Sequence, residues 1–300
     1  MTAVGRALMA GLVDYAGLFP PARLDTPTAV RRYREYLTGE DGWALGRFVV
    51  PAVRLGEFEA AFEQVCCGER EPVWGLSVLS SGDAKRDAAA VEGLARGAVS
   101  VDSLEVKART AADAERVLRD FAAAFGTGIG TGIGTGPVVY AEFAPGDAEA
   151  VLPVVAGSGA RAKIRTGGVV AEAFPSVEAV ADFLLACARA RVPFKATAGL
   201  HHAVRGSYRL TYEAESARAV MHGFANVFLA AALAWRGAER RAVVDTLTAR
   251  EFSFREDGAC WLGFELGAEE IRAARREFAM SYGSCSFTEP IAEARALGWI

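Results

Sequence analysis

The chain has 33 lysines and arginines in 300 residues. Only four are lysines: Lys85, Lys107, Lys163 and Lys195. Arginine stays protonated in proteins, whereas a buried lysine can lose its proton and act as nucleophile or base. In a chain that uses arginine so freely, a retained lysine points to chemistry arginine cannot supply. Three of the four lie in short apolar runs of strand character, where side chains alternate between two faces. In the run 160–166, Lys163 and Arg165 share one face, and Ala162 and Ile164 the other. In 193–198, Lys195 and Thr197 oppose Phe194, Ala196 and Ala198. In 99–108 the polar set is Ser103, Glu105 and Lys107, and in 138–144 it is Tyr140 and Glu142. If the apolar sets pack outward on helices, three lysines and two glutamates meet inside. Like charges crowded with carboxylates in a water-poor space are expected to push lysine pKa values down. A neutral amine can then attack a carbonyl, with a nearby acid to move protons. The alternative is an interior layer of ion pairs that only fills space.

Other residues could serve such a site. Arg165 with Thr166, Gly167 and Gly168 could hold a carboxylate or phosphate, through a guanidinium fork and close backbone N–H groups. Lys107 and Thr197 would line the same opening. His201 and His202 are two of three histidines, suited to acid–base work or anion contact. One of them with Glu105 and Glu142 could alternatively bind a metal; neither a resident metal nor an organic cofactor is the leading expectation. Asn226, the sole asparagine, would end strand eight if residues 223–230 are a strand. Asp14, Tyr15 and Phe19-Pro20-Pro21 end the first strand and would line the mouth. Cys285, in Ser-Cys-Ser, reads as a packed thiol.

The elements that must position these residues alternate regularly. Strands are expected at 12–19, 47–52, 73–80, 99–108, 138–144, 160–166 and 193–198. Helical patterns lie at 28–37, 55–65, 84–96, 111–125, 148–155 and 177–190, with Thr110 and Ser176 as caps. This alternation predicts an α/β fold of βαβ units, a (β/α)₈ TIM barrel closed by a strand at 223–230. A single helix over 216–235, and an open doubly wound sheet, are the alternatives. Asp257-Gly258 between alternating apolar residues predicts a hairpin. A helix at 268–279, a loop at 281–287 and a helix capped by Thr288 follow. Residues 250–300 thus read as a C-terminal decoration on one domain spanning 1–300. The repeat Gly126–Gly136 (GTGIGTGIGTG) lacks GxGxxG spacing and precedes a strand, so it reads as a connection and not a nucleotide loop.

Composition excludes some roles. A net charge of −4 and a pI near 5.6 argue against a general nucleic-acid or anionic-membrane surface, since both need a basic face. No run approaches the ~18 apolar residues of a membrane span. Five cysteines without framework spacing, including vicinal Cys66-Cys67, predict reduced thiols and a cytoplasmic setting. The N-terminus meets Asp14 early, lacks a basic segment, and reads as mature protein.

The runs Lys163-Ile164-Arg165-Thr166-Gly167-Gly168 and Phe194-Lys195-Ala196-Thr197-Ala198-Gly199-Leu200 resemble the two lysine strands of class I aldolases of the deoxyribose-phosphate aldolase type. The resemblance covers about a tenth of the chain. It implies a Schiff base on Lys163 and a pKa-lowering partner in Lys195. Departures are Glu105 and Lys107 where that family has a proton-shuttling aspartate, the pair His201-His202, and the C-terminal hairpin and Gly-Ser-Cys-Ser-Phe loop. The leading expectation is therefore an enzyme, a Schiff-base lyase acting on a small anionic carbonyl compound, with Glu142 or Glu105 transferring protons. A metal-assisted lyase or isomerase, and a non-catalytic barrel binding an anionic metabolite, are the alternatives. The C-terminal hairpin and helix could serve a homo-oligomer interface.

Overall fold

A computed structural model describes residues 2–66, 72–94, 97–126 and 136–300. Cys67 and all but the two end glycines of the Gly-Thr-Gly-Ile repeat lie outside the described residues. Eight parallel strands close a barrel: β1 Val13–Tyr15, β2 Leu45–Pro51, β3 Trp74–Leu79, β4 Val99–Lys107, β5 Val138–Glu142, β6 Arg161–Arg165, β7 Phe194–Thr197 and β8 Ala279–Ser284. Neighbours run β1-β8-β7-β6-β5-β4-β3-β2, which closes the ring. This is the (β/α)₈ TIM barrel expected from the alternation, and the open doubly wound sheet is ruled out. The helices are α1 Ala3–Met9, α2 Thr26–Thr38, α3 Leu55–Val65, α4 Ala84–Glu92, α5 Ala111–Phe125, α6 Ala148–Ser158, α7 Val177–Ala190, α8 Phe224–Trp235, α9 Arg240–Thr248, α10 Ala268–Glu277 and α11 Thr288–Ala296.

The apolar strand faces pack outward as their parity requires. Phe194 of β7 lies with its ring centroid 5.9 Å from Phe183 of α7, 6.2 Å from Phe228 of α8 and 5.1 Å from Phe278. Thr110 and Ser176 cap α5 and α7, accepting from the N–H groups of Asp113 and Ala179 at 3.1 Å each. Thr288, expected as a cap, is instead the first residue of α11. The cap contact comes from Ser286, which accepts from the Glu289 N–H at 3.2 Å.

Two expectations about the C-terminal half are overturned. Residues 223–230 are not strand eight: they lie almost wholly in α8, where Phe224 to Ala234 are all buried. A helix buried on every side shows no periodicity, so a short apolar run cannot be told from a buried strand. Its alanines and leucines favour the helix. Strand eight is Ala279–Ser284, pairing with β1 on one side and β7 on the other, with an irregularity between Ala279 and Tyr282. Serine and glycine there disguise a strand as a loop. Residues 250–300 are thus not a decoration, because β8 completes the barrel. The Asp257-Gly258 hairpin does form, within a three-stranded antiparallel sheet of Ser253–Phe254, Gly258–Trp261 and Phe264–Gly267.

Asn226 lies fully buried on α8 and lines neither cavity at the C-terminal ends of the strands. Its Oδ1 accepts from the Arg205 N–H at 2.7 Å, and its Nδ2 donates to the Thr246 and Ala249 carbonyls at 2.9 and 2.8 Å. It pins α8 to the end of α9 and to the loop after β7. Asn226→Leu, which removes three hydrogen bonds from a fully buried amide, is expected to destabilise by about 2–4 kcal/mol. Urea denaturation read by circular dichroism measures this; a change within about 0.5 kcal/mol contradicts the role.

Candidate active site

The alternation that sends apolar residues outward turns a set of polar side chains into the barrel, with Ser103 of β4 donating to Ser77 at 2.8 Å among them. Asp14 comes from β1, Ser77 from β3, Glu105 from β4, Glu142 from β5, Lys163 from β6, Lys195 from β7 and Ser281 from β8. The parallel register sets Glu142 beside Lys163 and Lys163 beside Lys195. Lys163 Nζ lies 2.6 Å from Glu105 Oε2 and 2.5 Å from Glu142 Oε2. Lys195 Nζ lies 2.7 Å from Glu105 Oε1 and 2.6 Å from Asp14 Oδ2. Glu105 therefore bridges the two lysines, one oxygen to each. Ser77 Oγ donates to Glu105 Oε1 at 2.6 Å, and Ser281 Oγ donates to Asp14 Oδ2 at 2.7 Å. The Arg47 N–H donates to Asp14 Oδ1 at 2.8 Å.

Lys163 is 3% and Lys195 1% exposed, so both are effectively out of water. Taking such ions out of water costs several kcal/mol each, offset only by close partners. Each ammonium has two carboxylates, which explains how the network survives. For Lys195, burial drives the pKa down, but Asp14 and Glu105 overcompensate and hold it above the ordinary lysine value. This corrects the expectation of depressed lysine pKa values at Lys195, because carboxylates, not a second ammonium, are its contacts. For Glu105, burial raises the pKa, but Lys163 and Lys195 win and hold it well below the usual carboxylate range.

The cavity at the C-terminal ends of the strands has a volume of about 300 Å³. Lys107, Glu142, Lys163, Arg165, Thr197 and His201 all line it. Lys195 does not; it lies beneath, among Asp14, Ser77 and Glu105. A neighbouring cavity of about 360 Å³ shares Lys107, Glu142 and Lys163 and adds Arg109. Thr166 and Gly167 are absent from both linings. The Thr166 hydroxyl donates to the Thr197 and Ala198 carbonyls at 3.1 and 2.6 Å. Gly167 abuts the chain after β7: a Cβ there would lie 2.9 Å from Gly199 Cα and 2.5 Å from the Phe174 ring. These two tie the β6 and β7 ends together. His202 turns to a different side cavity, where its Nδ1 lies 2.6 Å from Glu293 Oε1.

Burial pushes the His201 pKa down to about 4, with adjacent His202 adding to the effect. The ring is thus neutral at pH 7, and its 3.6 Å approach to Glu289 Oε2 is not an ion pair there. Its Nδ1 lies 3.2 Å from Ser284 Oγ and 4.0 Å from Cys285 Sγ. Cys285 lines the main cavity, and burial pushes its thiol up, so it is protonated at neutral pH. Among the described residues no three His, Cys, Asp or Glu side chains are grouped as metal ligands. Glu105 and Glu142 are engaged by lysines, and His202 by Glu293.

Sequence reasoning placed Asp14 at the mouth, whereas it is fully buried under Lys195. Its role was visible in one signal, a lone acid in an apolar first strand. Gly46 on β2 makes room for it, since a Cβ there would lie 2.3 Å from Asp14 Oδ1. Ser77 and Ser281 were missed, because single serines in apolar runs look like any half-buried strand residue.

Stability should depend on pH in a way these groups dictate. Glu105 has a folded pKa below its ordinary 4.5, so its contribution is present above about pH 4.5 and is lost as pH falls further. Neutral His201 opposes protonation in the native state, so stability also falls as pH drops from 6.5 towards about 4. Lys195 has a folded pKa above 10.5, so its contribution is complete below about pH 10.5 and is lost as pH rises beyond it. The unfolding free energy is expected to be flat from about pH 7 to 9 and to fall on both sides, the alkaline fall beginning with buried Cys187 and Cys285, whose thiols burial holds above their ordinary 9.0. Urea midpoints across pH 4–11 test this; a maximum in the acid range contradicts it.

No family model matches the chain, and no curated protein does. Among the described residues no helix is long and apolar enough to cross a membrane. Among solved structures, the chain is similar to deoxyribose phosphate aldolase from Aeropyrum pernix, described as having a unique tetrameric structure. The identity is 13%, the match covers 67% of this chain and 85% of that one, and the TM-score is 0.43.

Proposed function

We propose that this protein is a Schiff-base enzyme of the lyase type, acting on a small anionic carbonyl compound, with Lys163 as nucleophile. One observation carries the reading. Of the two buried lysines, Lys163 alone lines the cavity, and one of its partners, Glu142, has a side chain 20% exposed. Glu142 can therefore accept the Lys163 proton and exchange it with solvent or substrate. The freed amine adds to the carbonyl carbon, and the nitrogen gives up one proton as the carbonyl oxygen takes one, so a neutral carbinolamine forms with Glu142 still protonated. Glu142 then donates a proton to the departing hydroxyl, and water leaves as the imine forms. Lys195 stays protonated on Asp14 and Glu105, a fixed cation beneath the reacting nitrogen. That charge supports electron withdrawal into the imine. Arg165 and Lys107 have no carboxylate partner among the described residues and supply the positive wall for an anionic substrate. The four described free cysteines fit a reducing, cytoplasmic setting.

Borohydride trapping with a panel of small aldehydes, ketones and keto acids, read by peptide mass spectrometry, tests the reading. A reduced adduct on Lys163 supports it. Saturable binding with no adduct and no turnover across the panel overturns it in favour of a binding barrel.

A further inference from the structure

Between β7 and α8 the chain throws out an antiparallel ribbon, Gly206–Arg209 paired with Arg218–Met221. Its register sets Arg209 directly opposite Arg218. Like charges facing each other across two strands are unfavourable. Neither arginine has a carboxylate partner among the described residues; Arg218 donates only to Ser207, and Arg209 forms no ion pair. Both line a side cavity of about 310 Å³, together with Tyr208, Tyr212, His201 and Glu289. Glu289, the one acid in that wall, is already engaged: it accepts from the Tyr212 hydroxyl at 3.2 Å. His201 and Pro21 line both this cavity and the one containing Lys163. A repulsive pair retained at a cavity wall is relieved when an anion lies between two guanidinium forks.

We infer that the side cavity is an anion subsite, in which Arg209 and Arg218 together grip a phosphate or carboxylate group. Given the lysine chemistry proposed above, on which this clause alone rests, the substrate is an extended anion. A second charged group, beyond the one facing Arg165 and Lys107, lies across His201 from the carbonyl that meets Lys163. The subsite itself requires only that an anion bind.

The test uses the full chain, isothermal titration and thermal unfolding, with inorganic phosphate and with succinate as probes. The wild-type protein is expected to bind at least one of them, and which one distinguishes the phosphate from the carboxylate source. The double variant R209M/R218M is expected to bind it about tenfold more weakly or worse. In anion-free buffer Arg209→Met, which removes the repulsion, is expected to match or exceed the wild-type melting temperature, by about 1 °C. Added anion is expected to raise the melting temperature of the wild type more than that of the double variant. Unchanged affinity in R209M/R218M overturns the subsite. So does a loss of binding confined to Arg165→Met, which would place the anion in the barrel cavity. A marked fall in the anion-free melting temperature of Arg209→Met would make the arginine structural and also overturns it. If no adduct forms on Lys163 but the variants lose anion binding, the subsite stands and the imine chemistry falls.

Discussion

Lys163→Arg is expected to abolish borohydride trapping and to lower turnover of any substrate found by on the order of 10³-fold or more. Arginine keeps the positive charge that Glu105 and Glu142 hold at 2.6 and 2.5 Å. It cannot release a proton under ordinary conditions, so it cannot form an imine. A purely electrostatic role for Lys163 predicts a much smaller loss, because the charge survives. Lys163→Met serves as the companion variant, since it removes both charge and nucleophile. Glu142→Gln should retain slow trapping, with its rate reduced by about 10²-fold, since only the proton acceptor is lost. Trapping rates and adduct mapping, with circular dichroism to confirm folding, separate these cases. Persistent trapping elsewhere in Lys163→Arg would move the nucleophile and defeat the assignment.

The second large effect is on stability. Asp14→Asn is expected to destabilise the fold by about 3–5 kcal/mol, the usual cost of removing one partner from a buried ion pair. Asp14 is fully buried and takes contacts from Lys195, Ser281 and the Arg47 N–H. Neutralising it leaves Lys195 with Glu105 as its one remaining carboxylate. Lys195→Met is expected to cost a similar amount for the opposite reason, since Asp14 and Glu105 then face each other without the cation between them. The double variant D14N/K195M should lose less than the sum, because the second change removes a charge the first left unpaired. Urea denaturation of the three variants closes this cycle. Strict additivity would show that the two groups are not energetically linked. Lys195→Met should remove only the part of the alkaline fall in stability that lies above about pH 10.5, since buried Cys187, Tyr33 and Tyr282, held protonated by burial, contribute the rest.

These predictions draw on features of unequal legibility. The first seven barrel strands could be read from apolar runs spaced by amphipathic helices, and parity alone turned Glu105, Glu142, Lys163 and Lys195 inward. Parity is a local property of the strand, so it survives whatever the strand packs against. Caps at Thr110 and Ser176 were legible for the same reason, since each bond spans three residues.

Other parts were decided only by tertiary structure. Residues 224–235 are apolar but for the single Asn226 because α8 is enclosed on all sides, and a sequence without a polar face carries no period to read. Strand β8 reads as a loop because it borrows its stability from β1 and β7, not from its own propensity. Which partner each lysine meets depended on the closure of the ring. Asp14 and Lys195 are 181 residues apart and touch only because β8 brings β1 and β7 within reach of one another. The sign of the Lys195 shift followed from that closure. The identities of the charged residues were fixed by local sequence, but their energies were set by contacts across the barrel, which alternation cannot specify.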